Sequence, residues 1–324
     1  MLYLNTGTAA RHLVQPPEDS PGEGAIWLDL LSPSEPERAA AERLTGMHVP
    51  AKADLAEIES SSRLSVQGKI ITLSTPMTFR GTDGLSATAP LGFVLSPQHL
   101  MTVRFADLPV FDQFAERFVG TQRPCSVAAF LGLLEAIVDR LADVLEHLGG
   151  DLDTISHRVF RPAQDEVGKP TKIDQELRAT MRAVGRAGER VSAIRDSLLG
   201  VQRIVMYVNE VAADWIPPEM KPRFKTLRQD IGSLSDYDTQ LTNKVQFLLD
   251  ATLGFINIEQ NNGLKVLTVV SVVGVPPTLM ASIYGMNFQN MPELHWKYGY
   301  QFGLMVIVLS AILPLVWFRR RGWI

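Results

Sequence analysis

Two stretches near the C-terminus constrain this chain more than anything else in it. From Val266 to Pro292 there is no Asp, Glu, Lys, Arg or His, and from Tyr298 to Phe318 there is none again. Each run is about the 20 residues a helix needs to cross roughly 30 Å of hydrocarbon. Backbone groups in lipid must be satisfied within their own segment, so both runs are expected as helices. The chain therefore reads as a long amino-terminal part followed by a membrane hairpin with a short tip. No other stretch is apolar enough for lipid, which leaves about 260 residues ahead of the bilayer, enough for a sizeable core.

Charge orients the hairpin. Arg319, Arg320 and Arg321 follow the second run and Lys265 precedes the first, whereas the tip carries Glu293, His295 and Lys297. By the positive-inside tendency both chain ends are expected in the cytoplasm, with the tip facing outward from the inner (cell) membrane. Trp296, Tyr298, Tyr300, Trp317 and Trp323 sit where interfacial anchors belong. Met1 to Val14 is too short and too mixed for a secretory leader. The single Cys125 gives no intrachain disulfide framework and fits a reducing compartment. With Lys+Arg 31 against Asp+Glu 35 and a formal charge of -4, no basic excess is offered to nucleic acid. Lipid is the partner that composition implies.

Up to about residue 120, strand and helix signals alternate, as in an α/β layer. Ala25-Ile26-Trp27-Leu28-Asp29-Leu30 reads as a strand, and Ser32-Pro33-Ser34-Glu35 as the cap that opens a helix through Glu37 to Leu44. Lys69 to Leu73 and Leu91 to Leu95 read as strands, the latter with Leu100-Met101-Thr102-Val103-Arg104 as hairpin partner across Ser96-Pro97-Gln98-His99. From Val127 the pattern turns helical. Leu131, Leu134, Val138, Leu141, Leu145, Leu148, Leu152 and Ile155 form one apolar stripe, ended by Arg161-Pro162 and Gly168-Lys169-Pro170. A second, antiparallel helix is expected from Lys172 to about Val208. Its charges Arg178, Arg182, Arg186, Glu189, Arg190 and Arg195 read as a solvated face. Trp215-Ile216-Pro217-Pro218 ends it, and Pro222 suits the first turn of the next helix.

That third helix has no strong breaker before the membrane. Leu227, Ile231, Leu234, Leu241, Val245, Leu248 and Phe255 keep a seven-residue register, with Asp238 and Thr252 at the remaining seam positions. One helix of roughly 60 residues, near 90 Å at 1.5 Å per residue, is expected to run from the soluble part through the bilayer. Along it lies a mostly small and polar line: Asp250, Gly254, Asn257, Asn261, Leu264, Thr268, Ser271, Val275, Thr278 and Ser282. Polar groups at membrane depth cost free energy unless they meet other helices or water. Two readings follow: tight packing with Ser and Thr hydrogen-bonded across helices, or a wet path. A two-helix hairpin encloses no channel, so a path requires several copies of the chain around an axis.

The tip, Tyr284-Gly285-Met286-Asn287 followed by Met291-Pro292-Glu293-Leu294, resembles the signature of the CorA family of divalent-cation channels. The order Trp-x-Asp-Leu, acidic helix, Ala53-Asp54-Leu55, strand, strand, Thr102-Val103-Arg104 resembles that family's cytoplasmic domain, so the likeness spans nearly the whole chain. The resemblance implies a homopentameric funnel. Its cytoplasmic part is an α+β domain (1–125) with a helical hairpin (126–220), and a stalk (221–265) leads to a pore-lining span (266–284). An outer loop (285–297), a second span (298–318) and a basic tail (319–324) complete it. It implies a selectivity filter at Gly285, Met286 and Asn287, Glu293 as the acid that draws cations in, and Mg²⁺, with Co²⁺ or Ni²⁺, as cargo. Neutral oxygens suit an ion that holds its waters tightly. Leu264 and Val275 would be apolar constrictions. Mg²⁺ sensing between subunits would fall to Asp54, opposite Thr226, where the family has an acid; Asp230 is one turn on. No cofactor is implied beyond Mg²⁺ as cargo and regulator.

Two other functions compete: a proton-coupled zinc transporter of the ZntB kind, and a tail-anchored cytoplasmic sensor. The first usually changes the middle of Gly-x-Asn and loses Met-Pro-Glu-Leu, both of which stand here. An enzyme is not expected. The six histidines are scattered, and neither a Cys cluster nor a Gly-x-x-x-x-Gly-Lys loop occurs.

Overall fold

A computed structural model describes residues 1–8, 11–14, 24–57, 59, 63–81, 86–160, 170–286 and 291–323. Among the described residues seven strands form one mixed sheet: β1 (Leu2–Asn5), β2 (His12–Val14), β3 (Trp27–Leu31), β4 (Leu64–Gln67), β5 (Ile70–Arg80), β6 (Ser86–Leu95) and β7 (Leu100–Arg104). Their order is β2-β1-β3-β7-β6-β5-β4. Only β3 and β7 run parallel, and β6–β7 is the antiparallel hairpin expected from the Ser96-to-His99 turn. The sheet is wider than the sequence reading anticipated, because β1, β2 and β4, of three or four residues each, are too short to show a period.

Helices cover both faces. On one face α1 (Glu35–Thr45) and α2 (Lys52–Leu55) close a core of Leu28, Leu30, Val94, Met101 and Val103. The Ser34 backbone N–H donates to the Glu37 carboxylate at 2.8 Å, so the expected cap does start α1. Leu55 then sits against Gly92 so closely that a Cβ there would lie 2.7 Å from its methyl groups, pinning α2 to β6. The other face meets α3 (Pro109–Phe118) and α4 (Ser126–Val159) through Trp27, Leu73, Leu91, Phe93, Phe111 and Phe130.

Strand alternation puts a polar ladder inside that second layer. Trp27 Nε1 donates to Thr102 Oγ1 at 3.0 Å, the Thr102 hydroxyl donates to Asp29 at 2.8 Å, and Arg104 donates to the same carboxylate at 3.1 Å. Asp29 and Arg104 are both buried, and Arg11 adds a second guanidinium to Asp29. The Trp-x-Asp and Thr-x-Arg segments are thus two halves of one hydrogen-bonded joint across the parallel pair. Trp27, Asp29, Thr102 and Arg104 each have a partner there, as a low-dielectric interior demands, whereas Arg11 Nε is buried with none among the described residues.

The same core continues into three long helices, α4, α5 (Pro170–Val211) and α6 (Lys221–Tyr284). Glu135–Arg223 and Asp153–Lys244 bridge α4 to α6 with both numbers rising together, so these helices are parallel. Arg195–Asp238, and Gly188 beside Val245, run in opposite order and make α5 antiparallel to α6. The expected α4–α5 antiparallel pair follows. Gly200 of α5 lies flat on β5: a Cβ there would fall 1.9 Å from Thr75 Oγ1.

The seam of α6 matches its register. Leu227, Ile231, Leu241, Val245 and Leu248 are buried, and so are Asp238 and Thr252 at the polar seam positions. Phe255 departs from the expectation and is exposed, because the burial of the seam ends at Thr252. Arg195 departs too. Its guanidinium donates to Asp238 at 2.7 Å and to the Thr242 hydroxyl at 2.7 Å, so it binds α5 to α6 instead of facing only water. Arg178, Arg182 and Arg186 are exposed as expected.

By contacts the chain divides into two units, Met1–Ala163 with Thr180–Leu249, and Gln164–Ala179 with Asp250–Ile324. The second contains the C-terminal part of α6, a 3₁₀ turn at Pro292–His295 and α7 (Gly299–Arg320). Both helices are long and apolar enough to cross a membrane, and the most hydrophobic window of α6 is 0% buried.

Candidate functional site

The helix carrying the polar line stays helical through Pro276 and Pro277. Each proline withholds the N–H that would have met the carbonyl four residues back, on Val272 and Val273. Around them the line is continuous on one side. At 100° per residue, Asn257, Asn261, Leu264, Thr268, Ser271, Val275, Thr278 and Ser282 fall within roughly a third of the helix circumference. All eight are exposed, as are Asp250 and Gly254.

Val269, Val273, Pro276, Met280 and Tyr284 are half-covered and lie on the other side. Tyr284 lies near α7, its ring 3.9 Å from the position a Cβ on Gly303 would take. The polar line and the covered side are about 150° apart by helix geometry. Within one chain the line therefore looks away from the second span.

Three of its four hydroxyls have settled their protons locally. Thr268 donates to the Leu264 carbonyl at 2.8 Å, Thr278 to Gly274 at 2.9 Å and Ser282 to Thr278 at 2.8 Å. Each is a bond four residues back along the same helix. The cross-helix bonding of the packing reading is not what these three make. With the proton turned into the backbone, the remaining oxygen lone pairs are the outward polar feature, and lone pairs accept from water or face a cation. Leu264 and Val275 interrupt the line as exposed apolar side chains, 62% and 61% accessible.

At the tip, Gly285 and Met286 end α6 through N–H bonds to Ala281 and Ile283 and are exposed. Asn287 lies outside the described residues. Glu293 falls in the 3₁₀ turn Pro292–His295, where its backbone alone is described. Trp296 packs on Phe302 with ring centroids 5.7 Å apart, and Tyr298 and Tyr300 are exposed, as anchors at an interface would be.

The residues expected to sense Mg²⁺ lie in the first unit. Asp54 is exposed and accepts from the Ala51 N–H at 2.9 Å, so one oxygen already caps its own short helix. Asp230 is exposed on α6, and Thr226 lies one turn before it. Asp230 belongs to a different neighbourhood, that of Glu135, Asp139 and Asp143 on α4. Burial, then Glu135, then Asp143 and Asp230 hold the Asp139 carboxyl above its ordinary range. The sequence reading passed over this acidic edge, although Glu135, Asp139 and Asp143 are spaced by four and share one helix face. Among the described residues no group of three or more His, Cys, Asp or Glu is arranged to hold a metal within one chain.

A mixed α/β layer, three long helices and two C-terminal helices of membrane length, the first with a polar line, describe a two-span membrane protein. The chain belongs to the CorA family: the model of the CorA-like Mg²⁺ transporter protein matches residues 22–320. It is 34% identical over 303 residues to the magnesium transport protein CorA of Haemophilus influenzae, covering 93% of this chain and 92% of that one. It is 31% identical over 310 residues to the protein of that name from Escherichia coli K12, covering 95% and 94%. The complete structure of the CorA magnesium transporter from Methanocaldococcus jannaschii superposes with a TM-score of 0.77 at 17% identity, covering 100% of this chain and 99% of that one. The full-length CmaX protein gives 0.68 at 16%, covering 99% and 97%. These two likenesses establish the fold.

Proposed function

We propose that the chain is a divalent-cation channel of the inner membrane whose first cargo is Mg²⁺, with Co²⁺ and Ni²⁺ as further cargo. Five copies surround an axis and turn the polar line of each α6 inward. The observation that carries this reading is the line itself, exposed from Asn257 to Ser282 on a membrane-length helix and averted from the chain's own second span. A polar line so placed needs water or further copies of the chain. Membership of the CorA-like Mg²⁺ transporter family and the naming of relatives above 30% identity as magnesium transport proteins support the cargo.

In this reading Asn287 amides and Gly285 carbonyls ring the outer mouth, with Met286 between them and Glu293 drawing cations toward it. The ion passes with its water, touching amide and hydroxyl oxygens from Ser282 down to Asn257, and leaves past Asp250. Neutral oxygens contact a hydrated Mg²⁺ without holding it as carboxylates would. Leu264 and Val275 narrow the path and close it by excluding water. The segments divide as 1–125 and 126–220 in the cytoplasm, 221–265 as stalk, 266–284 lining the path and 285–297 outside. Residues 298–318 recross the membrane, so 319–324 end in the cytoplasm. Asp54, with Asp230 one turn beyond Thr226, bridges Mg²⁺ between neighbouring subunits.

Purified protein in liposomes is expected to pass Mg²⁺ down its gradient, and Asn287→Ala to abolish that flux. Undiminished flux in the variant removes the filter assignment. Flux that follows an imposed pH gradient and prefers Zn²⁺ would replace the channel with a proton-coupled zinc transporter.

A further inference from the structure

We propose that the C-terminal end of α7 is a binding site for the phosphate headgroup of anionic phospholipids, an inference that rests on α7 spanning a membrane but not on what the protein transports. The chain does not trail off after the second span. It turns at Gly322, which takes the left-handed conformation at φ 69°, where a side chain would be strained. There the Trp323 N–H returns to the Phe318 carbonyl at 3.1 Å and the Gly322 N–H to Arg319 at 3.2 Å. These are the two bonds of a Schellman cap, which satisfies carbonyls that a helix end otherwise leaves open.

The cap folds an aromatic lid over the last turn. Trp323 stacks on Phe318 with centroids 5.3 Å apart, Trp317 meets the same ring edge-on at 5.0 Å, and Phe318 is left 2% exposed. Elsewhere on this helix Leu304, Met305, Val308, Leu313 and Val316 are exposed to whatever surrounds the protein. A buried phenylalanine at its very end marks a built feature.

Around that lid stand Arg319, Arg320 and Arg321, all exposed. Among the described residues no carboxylate pairs with any of them, and Arg321 lies over the Trp317 ring at 4.9 Å. Consecutive residues step by 100°, so three arginines spread over about 200° of the helix end. The lid fixes their backbone, and a guanidinium offers phosphate a two-pronged bond that an ammonium does not. Indoles settle at headgroup depth, which sets the arginines level with lipid phosphates. A zwitterionic lipid carries its own cation beside the phosphate; an anionic lipid leaves the phosphate charge to the protein. Anionic phospholipid is therefore the occupant that the charge of the site selects.

The test is retention of lipid by the purified full-length protein, counted by native mass spectrometry after exchange into equal amounts of phosphatidylglycerol and phosphatidylcholine. The wild type should hold phosphatidylglycerol in preference by about tenfold or more, since each arginine near a membrane surface contributes severalfold. R319Q/R320Q/R321Q should bring the ratio close to one. W323A keeps all three charges, and with them the orientation of the hairpin, but removes the lid, and should lower the ratio by about threefold. Equal retention by the wild type overturns the site, as does an unchanged ratio in both variants. Should the triple variant fail to insert, an unchanged ratio in W323A alone overturns it. Displacement of the lipid by millimolar inorganic phosphate would make this a site for the free anion and also overturns the proposal. Loss of Mg²⁺ flux with the lipid ratio intact would remove the channel reading and leave this one standing.

Discussion

One helix, α6, contains two regions built from the same kinds of residue and treated in opposite ways. Before Asp250, Leu227, Ile231, Leu241 and Leu248 are buried, and even Asp238 is sealed in. After it, Leu264, Val266, Leu267 and Val270 are each more than 60% exposed. Hydrophobicity alone does not separate them. The first region finds its apolar partners on α4 and α5 of its own chain; the second leaves many of its apolar side chains exposed. A leucine that stays exposed on a helix of membrane length is evidence about the surroundings, because in water that apolar area would be unfavourable by about 25 cal/mol per Å². The first half of α6 is thus completed by folding, and in the proposed channel the second half is completed by lipid and by further copies of the chain.

The sharpest way to break this contrast is to cut the same side chain in both halves. Leu248→Ala should destabilise the folded protein by about 2–5 kcal/mol, because it leaves a cavity among packed neighbours. Leu264 is 62% exposed, so Leu264→Ala removes little packing and should leave the unfolding midpoint of the soluble part unchanged. Chemical denaturation of the full-length protein in detergent measures both. A comparable loss from Leu264→Ala would mean that the two halves are not supported differently.

Charge gives the next largest effect. Asp238 is buried, its Oδ2 held by Arg195, while Oδ1 has no hydrogen-bond partner among the described residues. Burial pushes this carboxyl above its ordinary 3.8, against the pull of Arg195. Arg195→Ala strands the buried charge and should cost about 1–3 kcal/mol, below the full value for a buried pair because the arginine is part-exposed. Asp238→Leu, which extends the apolar seam, should be near neutral or stabilising. The sign of the pH effect follows. An acid whose folded pKa is raised contributes most below its unfolded value, and that contribution is lost as pH rises through the folded one. The advantage of Asp238→Leu over the wild type should therefore grow from about pH 4 toward pH 7. A flat difference across that range would mean that the carboxylate is accommodated without cost.

How much of this could be read beforehand differs along the same line. The seam was legible, including Asp238 and Thr252, because seven-residue spacing fixes which positions face the partner whatever their polarity. The polar line was legible because membrane depth makes each Ser, Thr and Asn conspicuous. What its hydroxyls do was not: a threonine can bond across to another helix or back to its own, and only the backbone positions of Thr268, Thr278 and Ser282 decide. Arg195 looked like any other charge on α5, since its partner lies 43 residues away on another helix. β1, β2 and β4 escaped because a strand of three or four residues repeats its pattern at most twice. Asp54 matched a sensing position by order in the chain, and order says nothing of the Ala51 N–H that one of its oxygens accepts.

The two sides of the membrane segment supply a third contrast, read as a rate. Cysteine at Thr278 or Ser271 should react with a small water-soluble thiol reagent about tenfold or more faster than cysteine at Val273 on the half-covered side, because only thiols in contact with water ionise and react. Cys125 is replaced by serine beforehand so that only the new thiol reports. Equal protection of all three would place the polar line against other helices, without water.

The smallest expected effect tests what completes the lower half of α6. A Cβ on Gly274, or on Gly263 about three turns before it, would meet nothing within 4 Å in this chain. Taken alone, Gly274→Ala should strengthen the helix by about 1 kcal/mol, the ordinary propensity gain. Small residues, however, are what let membrane helices approach one another closely. If copies of α6 meet along this side, the added methyl should lower the concentration of detergent at which the assembly separates, read as subunit number by light scattering. An assembly that holds equally well, or better, would mean that lipid and not a neighbouring copy lies against Gly274, and the axis would have to be bounded by the polar line alone.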